Sequence, residues 1–563
     1  MTQLPAPHPL PAPRISVILP AFNVGHYIAA AIASLQSQTF TDFEALVIDD
    51  GSTDTTRQQA LSAIGTDPRF RLTQQANRGL SGARNTGLDL ARAPFIAFLD
   101  GDDRFAPTFL QSLHDTLHST SADWVACGVA FCPPDGTRHP HSAIHGQPEP
   151  RADGQAVPFA LEDWADVICH FPSAWNKLYR RDFIGDQRFD DGTWYEDHGF
   201  FHRLAAKSRV LHHISDPLYL YTLDRDGQIT RADSDRVFDQ IAVLETSATV
   251  FRASDKTGAE TGLSRLATRL FCERLEVIRT PQRATWFRQE AADFFARHQL
   301  APDWRWDRHI DALQACSLSG TPAITIRHDA AADDDAARHT LLPDPSSPLA
   351  PFFRLTTADQ PADHTGVVID LPGSGWVDHN ALADLARQLL HSDLAATLVT
   401  LIPTAPQPQP VLSPDSALDL TPTRHALLVK AAFACQPISP TPQLRLAEQA
   451  LRLCAAQAPI TCAQARVPMP RQITPPTLPD MQDLDQWAAA LAPLLPRGGA
   501  RRLFLRAASL RMAQDQQRGR LRLALLLRLW LIGRKRGWTG TNGTIDADTP
   551  PILRRIFRQK PAG

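Results

Sequence analysis

Three short apolar runs near the start of the chain each stop at a polar lip, and a helical pattern separates each from the next. Ile15-Ser-Val-Ile-Leu19 ends at Pro20, and residues 43–48 end at Asp49-Asp50-Gly51-Ser52. Phe95-Ile96-Ala97-Phe98-Leu99 ends at Asp100-Gly101-Asp102-Asp103. Between the first two, Ile28, Ile32 and Leu35 share one face of a helix over 25–38. A second helix is expected from Ser52 or Asp54, either of which can cap it, and a third over about 83–92, behind the loop NRGLSG. Residues 124–129 read as a further strand. Strands alternating with helices over this length describe a parallel α/β sheet. In such sheets ligands bind beyond the carboxyl ends of the strands, where Asp49, Asp50, Asp100 and Asp102 all fall.

The acids of FLDGDD pose a physical question of their own. Carboxylates crowded at one strand end raise one another's pKa unless a cation relieves the repulsion. The plain alternative is a surface turn, which Asp and Gly both favour. Other features of the chain narrow the partners. A formal net charge of −3 gives no global pull toward nucleic acid or membrane. The eight cysteines contain no CxxC pair, so Cys127 and Cys132 read as buried or free thiols rather than zinc ligands. No run of about 18 apolar residues is present, and MTQLPAPHPLPAPR lacks an apolar signal core. A cytoplasmic protein, or one peripheral at the inner membrane, is expected.

The 563 residues leave room for more than one core. Residues 1–13 read as a disordered proline-rich tail, 14–234 as the α/β domain and 235–315 as a helical extension. Residues 316–440 suggest a small second α/β unit, since HTGVVIDLPGSGW and ALADLARQLLHSDLAATLVTLIP fit strand, helix and strand. The PGSG there lacks the third glycine of a dinucleotide fingerprint. Segments 403–424 and 458–481 are proline-rich and read as linkers, and Asp333-Asp334-Asp335 as a solvated loop. Residues 441–563 read as helical and basic. Within them, 520–536 carry apolar residues flanked by arginines, a pattern that suits a membrane interface or the protein's own core equally.

Taken together, the blocks ISVILPAFNVGHYIAAAIASLQSQTFTDFEALVIDDGSTDTT, NRGLSGARNTGLDLARAPFIAFLDGDD, AWNKLYRRDFI and WYEDHGFFHRL resemble the inverting glycosyltransferases of family 2. The resemblance covers somewhat under half of the chain and implies the GT-A fold, a Rossmann-like, mostly parallel sheet flanked by helices. It implies transfer of a sugar from a nucleotide-sugar, usually a UDP-sugar, to a glycan or lipid-linked acceptor, as in bacterial surface polysaccharide synthesis. It also implies Mg²⁺ or Mn²⁺, hard cations suited to carboxylate oxygens. By the same resemblance Asp102 and Asp100 form the DxD pair, with Asp102 on the metal, Asp100 toward the sugar and ribose, and Asp103 in support. Pro20, Phe22 and Asp50 match the residues that hold the base, and Arg84 the basic residue near ribose and phosphates. Asp197 matches the base that takes the acceptor proton, with Glu196 orienting it. Arg225 is the candidate for a further diphosphate contact. Trp175, Asn176, Lys177 and Trp194, with Tyr195, are candidates for the acceptor side.

Each position has a bland alternative: a turn or cap for Asp50, a surface residue for Arg84, first-turn helix acids for Glu196 and Asp197, core packing for the aromatics. His198 reads as structural. The spacing of His139, His141 and His145 is ligand-like, although it falls in a loop rich in proline and serine. The alternative at the level of function is a retired transferase domain that binds nucleotide-sugar or serves as a scaffold.

Overall fold

The computed structural model describes residues 13–120, 122–145, 154–225, 232–328, 341–357, 366–370, 379–393, 396–400, 425–430, 450 and 460–464. They form two compact units that divide between Ile310 and Asp311. The proline-rich start, the acidic run at 333–335, the PGSG segment and the basic stretch 520–536 lie outside the described residues.

The first unit begins β1 (Ile15–Ala21), α1 (Ile28–Gln36), β2 (Phe43–Asp49), α2 (Thr56–Ile64), β3 (Phe70–Gln74), α3 (Gly79–Leu90) and β4 (Phe95–Phe98). It continues with β5 (Arg104–Phe105), α4 (Phe109–Thr120), β6 (Trp124–Cys132), β7 (His139–His141), β8 (Ala156–Ala160), α5 (Trp164–Val167), β9 (Lys177–Arg180), α6 (Arg181–Ile184), α7 (Glu196–Lys207) and β10 (Val210–Thr222). One ten-stranded sheet runs β3-β2-β1-β4-β9-β6-β10-β5, with β7 added to β6 and β8 to β10. The β3-β2-β1-β4 half is parallel throughout, as the strand–helix alternation requires. β9 then runs antiparallel between β4 and β6, and β6 and β10 pair in parallel.

Burial explains the apolar runs. Every residue of β1 and β2 is buried, because helices cover both faces of the central strands. Ile28, Ile32 and Leu35 of α1 join Val17, Leu19 and Val47 in the main core. On α3, a Cβ at Gly87 would lie 2.3 Å from Ile18 Cγ2. Glycine there lets the helix press onto β1, which fixes the height of α3 above the sheet. α8 (Asp239–Ala253), α9 (Ala259–Val277) and α10 (Pro281–His298) follow as the helical extension.

The second unit comprises α11 (Ala312–Ser317), β11 (Ile324–His328), β12 (Phe353–Thr357), β13 (Val367–Asp370), α12 (His379–His391), β14 (Ala396–Thr400), β15 (His425–Lys430) and β16 (Ile460–Gln464). Strand β13, helix α12 and strand β14 occur where the pattern places them. β13 and β14 are not neighbours, however: β15 lies between them, antiparallel to both, in the order β12-β11-β13-β15-β14-β16. Ile460–Gln464 is a strand despite its linker-like surroundings, because it pairs in parallel with β14. Among the described residues no helix is long and apolar enough to cross a membrane.

Candidate active site

The acids at the end of β4 each have a partner from the chain itself. Asp100 Oδ1 accepts from Arg84 Nη2 at 2.8 Å. Asp102 is paired with Arg225, and Asp103 accepts from the Tyr219 hydroxyl and the Thr222 backbone N–H, both at 2.7 Å. Repulsion at this lip is therefore relieved residue by residue. Burial, followed by the fields of Asp102 and Asp100, pushes the Asp103 carboxyl well above the usual range. Burial also raises Asp102, against the opposing pull of Arg225. The lip packs closely on the end of β1, since a Cβ at Gly101 would lie 3.0 Å from the Pro20 carbonyl oxygen. Tyr219 and Thr222 had no signal in the motifs. Their place on β10, beside the lip, is a property of the sheet order.

Arg84 is the hub of the site. Its side chain is 1% exposed, and it forms ion pairs with Asp100 at 2.8 Å, Glu196 at 2.6 Å and Asp197 at 2.5 Å. The sequence-based expectation for Arg84 is a contact to ribose and phosphates; in this structure both terminal nitrogens bond carboxylates of the chain itself. Burial alone would lower its pKa, but the fields of Asp100, Asp197 and Glu196 raise it well above the ordinary value. The same desolvation pushes Glu196 up to about 7 and raises Asp197, while Arg84 holds both down. Glu196 and Asp197 open α7, as their first-turn reading anticipates. The residue before them, Tyr195, has a left-handed backbone with φ 65°, a costly conformation for a bulky side chain. Its hydroxyl accepts from Arg274 Nη1 at 3.1 Å.

At the end of β2, Asp50 Oδ1 accepts from Gln75 Nε2 at 2.7 Å and from the Arg78 N–H at 2.9 Å. Gln75 was not singled out from the sequence. It follows β3, the strand beside β2, so only the pairing reveals it. Pro20 is buried at the end of β1, and Phe22, two residues on, is 47% exposed.

Lys177 is not an open acceptor-side residue. It is 1% exposed, and Nζ donates to the carbonyls of Phe171 and Ser173 and to Asn176 Oδ1, each at 2.7 Å. Burial lowers its pKa to about 7. Asn176 is likewise buried, donating to the Cys127 carbonyl at 2.7 Å. Lys177 thus ties down the loop that carries Trp175, whose ring stacks on Tyr219 at 4.2 Å. Lys177→Met strands buried acceptors and is expected to cost roughly 3 kcal/mol, read as a lower urea midpoint. An unchanged midpoint would contradict this role. Trp194 is half-buried beside α7, with the Arg236 guanidinium 5.3 Å from its ring centroid.

His198 is buried and pushed well below its ordinary pKa by desolvation, consistent with a structural role. The Thr137 hydroxyl sits 3.1 Å from His139, His141 accepts from the Ala143 N–H, and His145 lies 3.8 Å from Asp307. Among the described residues no group of three or more His, Cys, Asp or Glu side chains is arranged to hold a metal ion, so the histidine spacing does not form a cage. Cys127, Cys132 and Cys169 are free thiols. A cavity of about 350 Å³ adjoins the acidic lip, lined by Asp102, Arg104, His26, Tyr27, Arg138 and Thr222 among others.

Residues 16–186 match the model of glycosyl transferase family 2. The chain is 27% identical over 249 residues to the putative glycosyltransferase EpsH of Bacillus subtilis, covering 43% of this chain and 71% of that protein. It is 46% identical over 90 residues to the Escherichia coli UDP-Glc:alpha-D-GlcNAc-diphosphoundecaprenol beta-1,3-glucosyltransferase WfgD, covering 16% of this chain and 35% of the relative. A crystal structure of S. aureus TarS 1-349 in complex with UDP-GlcNAc aligns with 20% identity and a TM-score of 0.43, over 54% of this chain and 86% of that one. Residues 16–186 therefore carry a glycosyl transferase family 2 domain, a match that takes in the first three motif blocks and ends before the WYEDHGFFHRL block.

Proposed function

We propose that the first unit transfers a sugar from a UDP-sugar to a glycan or lipid-linked acceptor, with inversion at the anomeric carbon and with Mg²⁺ or Mn²⁺ at Asp102 and Asp100. The observation that carries this reading is the meeting of Asp100, Glu196 and Asp197 on one guanidinium. It sets an acid of the strand lip and the acids of the α7 start side by side. In the reaction, Asp197 takes the proton of the acceptor hydroxyl, whose oxygen forms the new bond to the anomeric carbon. The bond to the diphosphate breaks, and the diphosphate leaves with the electron pair.

The carboxylates present suit a hard divalent cation. With no cage of three acidic or histidine ligands among the described residues, the chain would supply one or two carboxylates and leave the remaining positions to diphosphate oxygens and water, as Mg²⁺ sites commonly do. Such a cation supplies Lewis-acid stabilisation of the charge that grows on the leaving group. Arg225, beside Asp102, adds a fixed positive charge on the same side.

Gln75 and Arg78 hold Asp50 through Oδ1, and its second oxygen is the proposed acceptor for uracil N3–H, with exposed Phe22 offering a ring face to the base. Asp50→Asn is expected to weaken UDP binding by about tenfold to a hundredfold and to narrow the preference over CDP, whose ring N3 carries no hydrogen. Calorimetric titration of both nucleotides checks it. Equal losses for UDP and CDP would remove Asp50 from base recognition. On the acceptor side the candidates reduce to half-buried Trp175 and Trp194.

The proposal as a whole is tested by UDP release from a panel of UDP-sugars, with Mn²⁺ or with EDTA. Metal-dependent release from one sugar supports it and identifies the donor. Failure of the chain to bind UDP under either condition would remove it and favour the scaffold alternative.

A further inference from the structure

We infer that Arg84 is a positioning residue that locks the acceptor-side base to the donor lip, and that it does not itself bind the nucleotide. The inference rests on the transfer reaction proposed above and assigns a different task to a residue that the motif alone would place on the phosphates.

The bonds this side chain makes run between carboxylates, while its buried Nε–H has no partner among the described residues. Arg84 hangs from α3, whose height is set by the contact between Gly87 and Ile18. Its Cζ stands 5.2 Å from the centroid of the Phe189 ring, which backs the guanidinium on the protein side. Nη2 reaches Asp100, and Nη1 reaches both Glu196 and Asp197. The Ala174 backbone and the Lys177 charge both favour the ionised form of Asp197. Asp197 is thus held by α3 and by the first turn of α7 together. Of these, Arg84 alone bonds an acid of the donor lip as well.

A planar fork with donors on two terminal nitrogens can hold three carboxylates in fixed directions, whereas an ammonium is a point charge on a flexible stem. Removing the fork leaves three acids to repel one another in a region largely shut off from water. The base would then turn away from the lip while the base-binding pocket around Asp50 keeps its own hydrogen bonds. Misplacement of a reacting group by about 1 Å costs on the order of a hundredfold in rate.

The experiment measures UDP binding by calorimetry with Mn²⁺, and kcat and KM for the nucleotide-sugar, on the full chain. Arg84→Lys is expected to bind UDP at unchanged stoichiometry with Kd within about threefold of wild type. KM for the donor should stay similarly close while kcat falls about 100-fold. The unchanged stoichiometry excludes a partly unfolded sample as the cause. A Kd that weakens in step with the fall in kcat would mean that the guanidinium holds the diphosphate. That would overturn the inference while leaving the transferase reading intact. A wild-type chain that binds no UDP would overturn both. Should Arg84→Lys fail to fold, Arg84→Met/Glu196→Gln keeps the net charge of the cluster and is compared with Glu196→Gln alone. A further fall in kcat of about 100-fold with unchanged Kd supports the role, and equal kcat in the two variants overturns it.

Discussion

Asp197→Asn is expected to lower kcat by about a thousandfold while leaving UDP affinity within a factor of about two, because general-base catalysis contributes typically 10²–10⁴-fold. The amide keeps the shape of the side chain, but it cannot take the acceptor proton. Binding measured by calorimetry and turnover measured by UDP release separate the two effects. If UDP affinity falls as far as kcat, Asp197 serves the donor and not the acceptor. The wild-type pH profile gives an independent check. Burial raises both Asp197 and Glu196, the latter to about 7 rather than its ordinary 4.5. Glu196 takes up its proton as pH falls through about 7, and the raised Asp197 carboxyl shifts the same way, so kcat should decline toward acid from near neutrality. A rate still flat at pH 5 would show that Glu196 need not be ionised.

The second large effect is expected at the strand lip. Asp102→Asn should abolish the gain in UDP affinity that Mn²⁺ gives the wild type and lower kcat/KM by about a thousandfold, equivalent to roughly 4 kcal/mol of transition-state stabilisation. The substitution also leaves Arg225 without the carboxylate it pairs with. UDP titration with Mn²⁺ and with EDTA distinguishes the two consequences. Loss of the metal increment with intact metal-free binding places Asp102 on the cation. A metal increment of wild-type size in Asp102→Asn would remove it from that role.

The parallel half of the first unit was legible in the sequence because its signals are local. Continuous apolar runs bounded by Pro20, Asp49 and Asp100 mark strands buried on both faces, and the placement of acids at strand ends follows from chain direction. Glu196 and Asp197 were legible in the same way, as acids opening a helix. The relations between these elements were not. Arg84 reads as a helix-surface residue until α7 supplies the acids 112 and 113 positions away. Lys177 carries the same letter whether it faces a sugar or three buried acceptors, and only the 171–176 loop decides which. Gln75 and Tyr219 act across strand pairings that no local pattern encodes. In the second unit strand, helix and strand could be read from periodicity. The insertion of β15 between β13 and β14 could not, since it joins segments far apart in the chain.

The wide spacing of Arg84's partners also sets an order of assembly. Asp100 is only 16 residues from Arg84, within the compact β1 to β4 half, whereas Glu196 and Asp197 arrive after β9 has paired antiparallel with β4. Closing the longer loop carries a greater entropic cost, and contacts of high sequence separation form slowly. A chain emerging from the ribosome therefore completes its nucleotide-facing half while the guanidinium still has one acid instead of three. The docking of α7 and the later pairing of β10, which brings Tyr219 and Arg225 to the same lip, are both long-range closures, so a newly made molecule gathers this cluster only as they form.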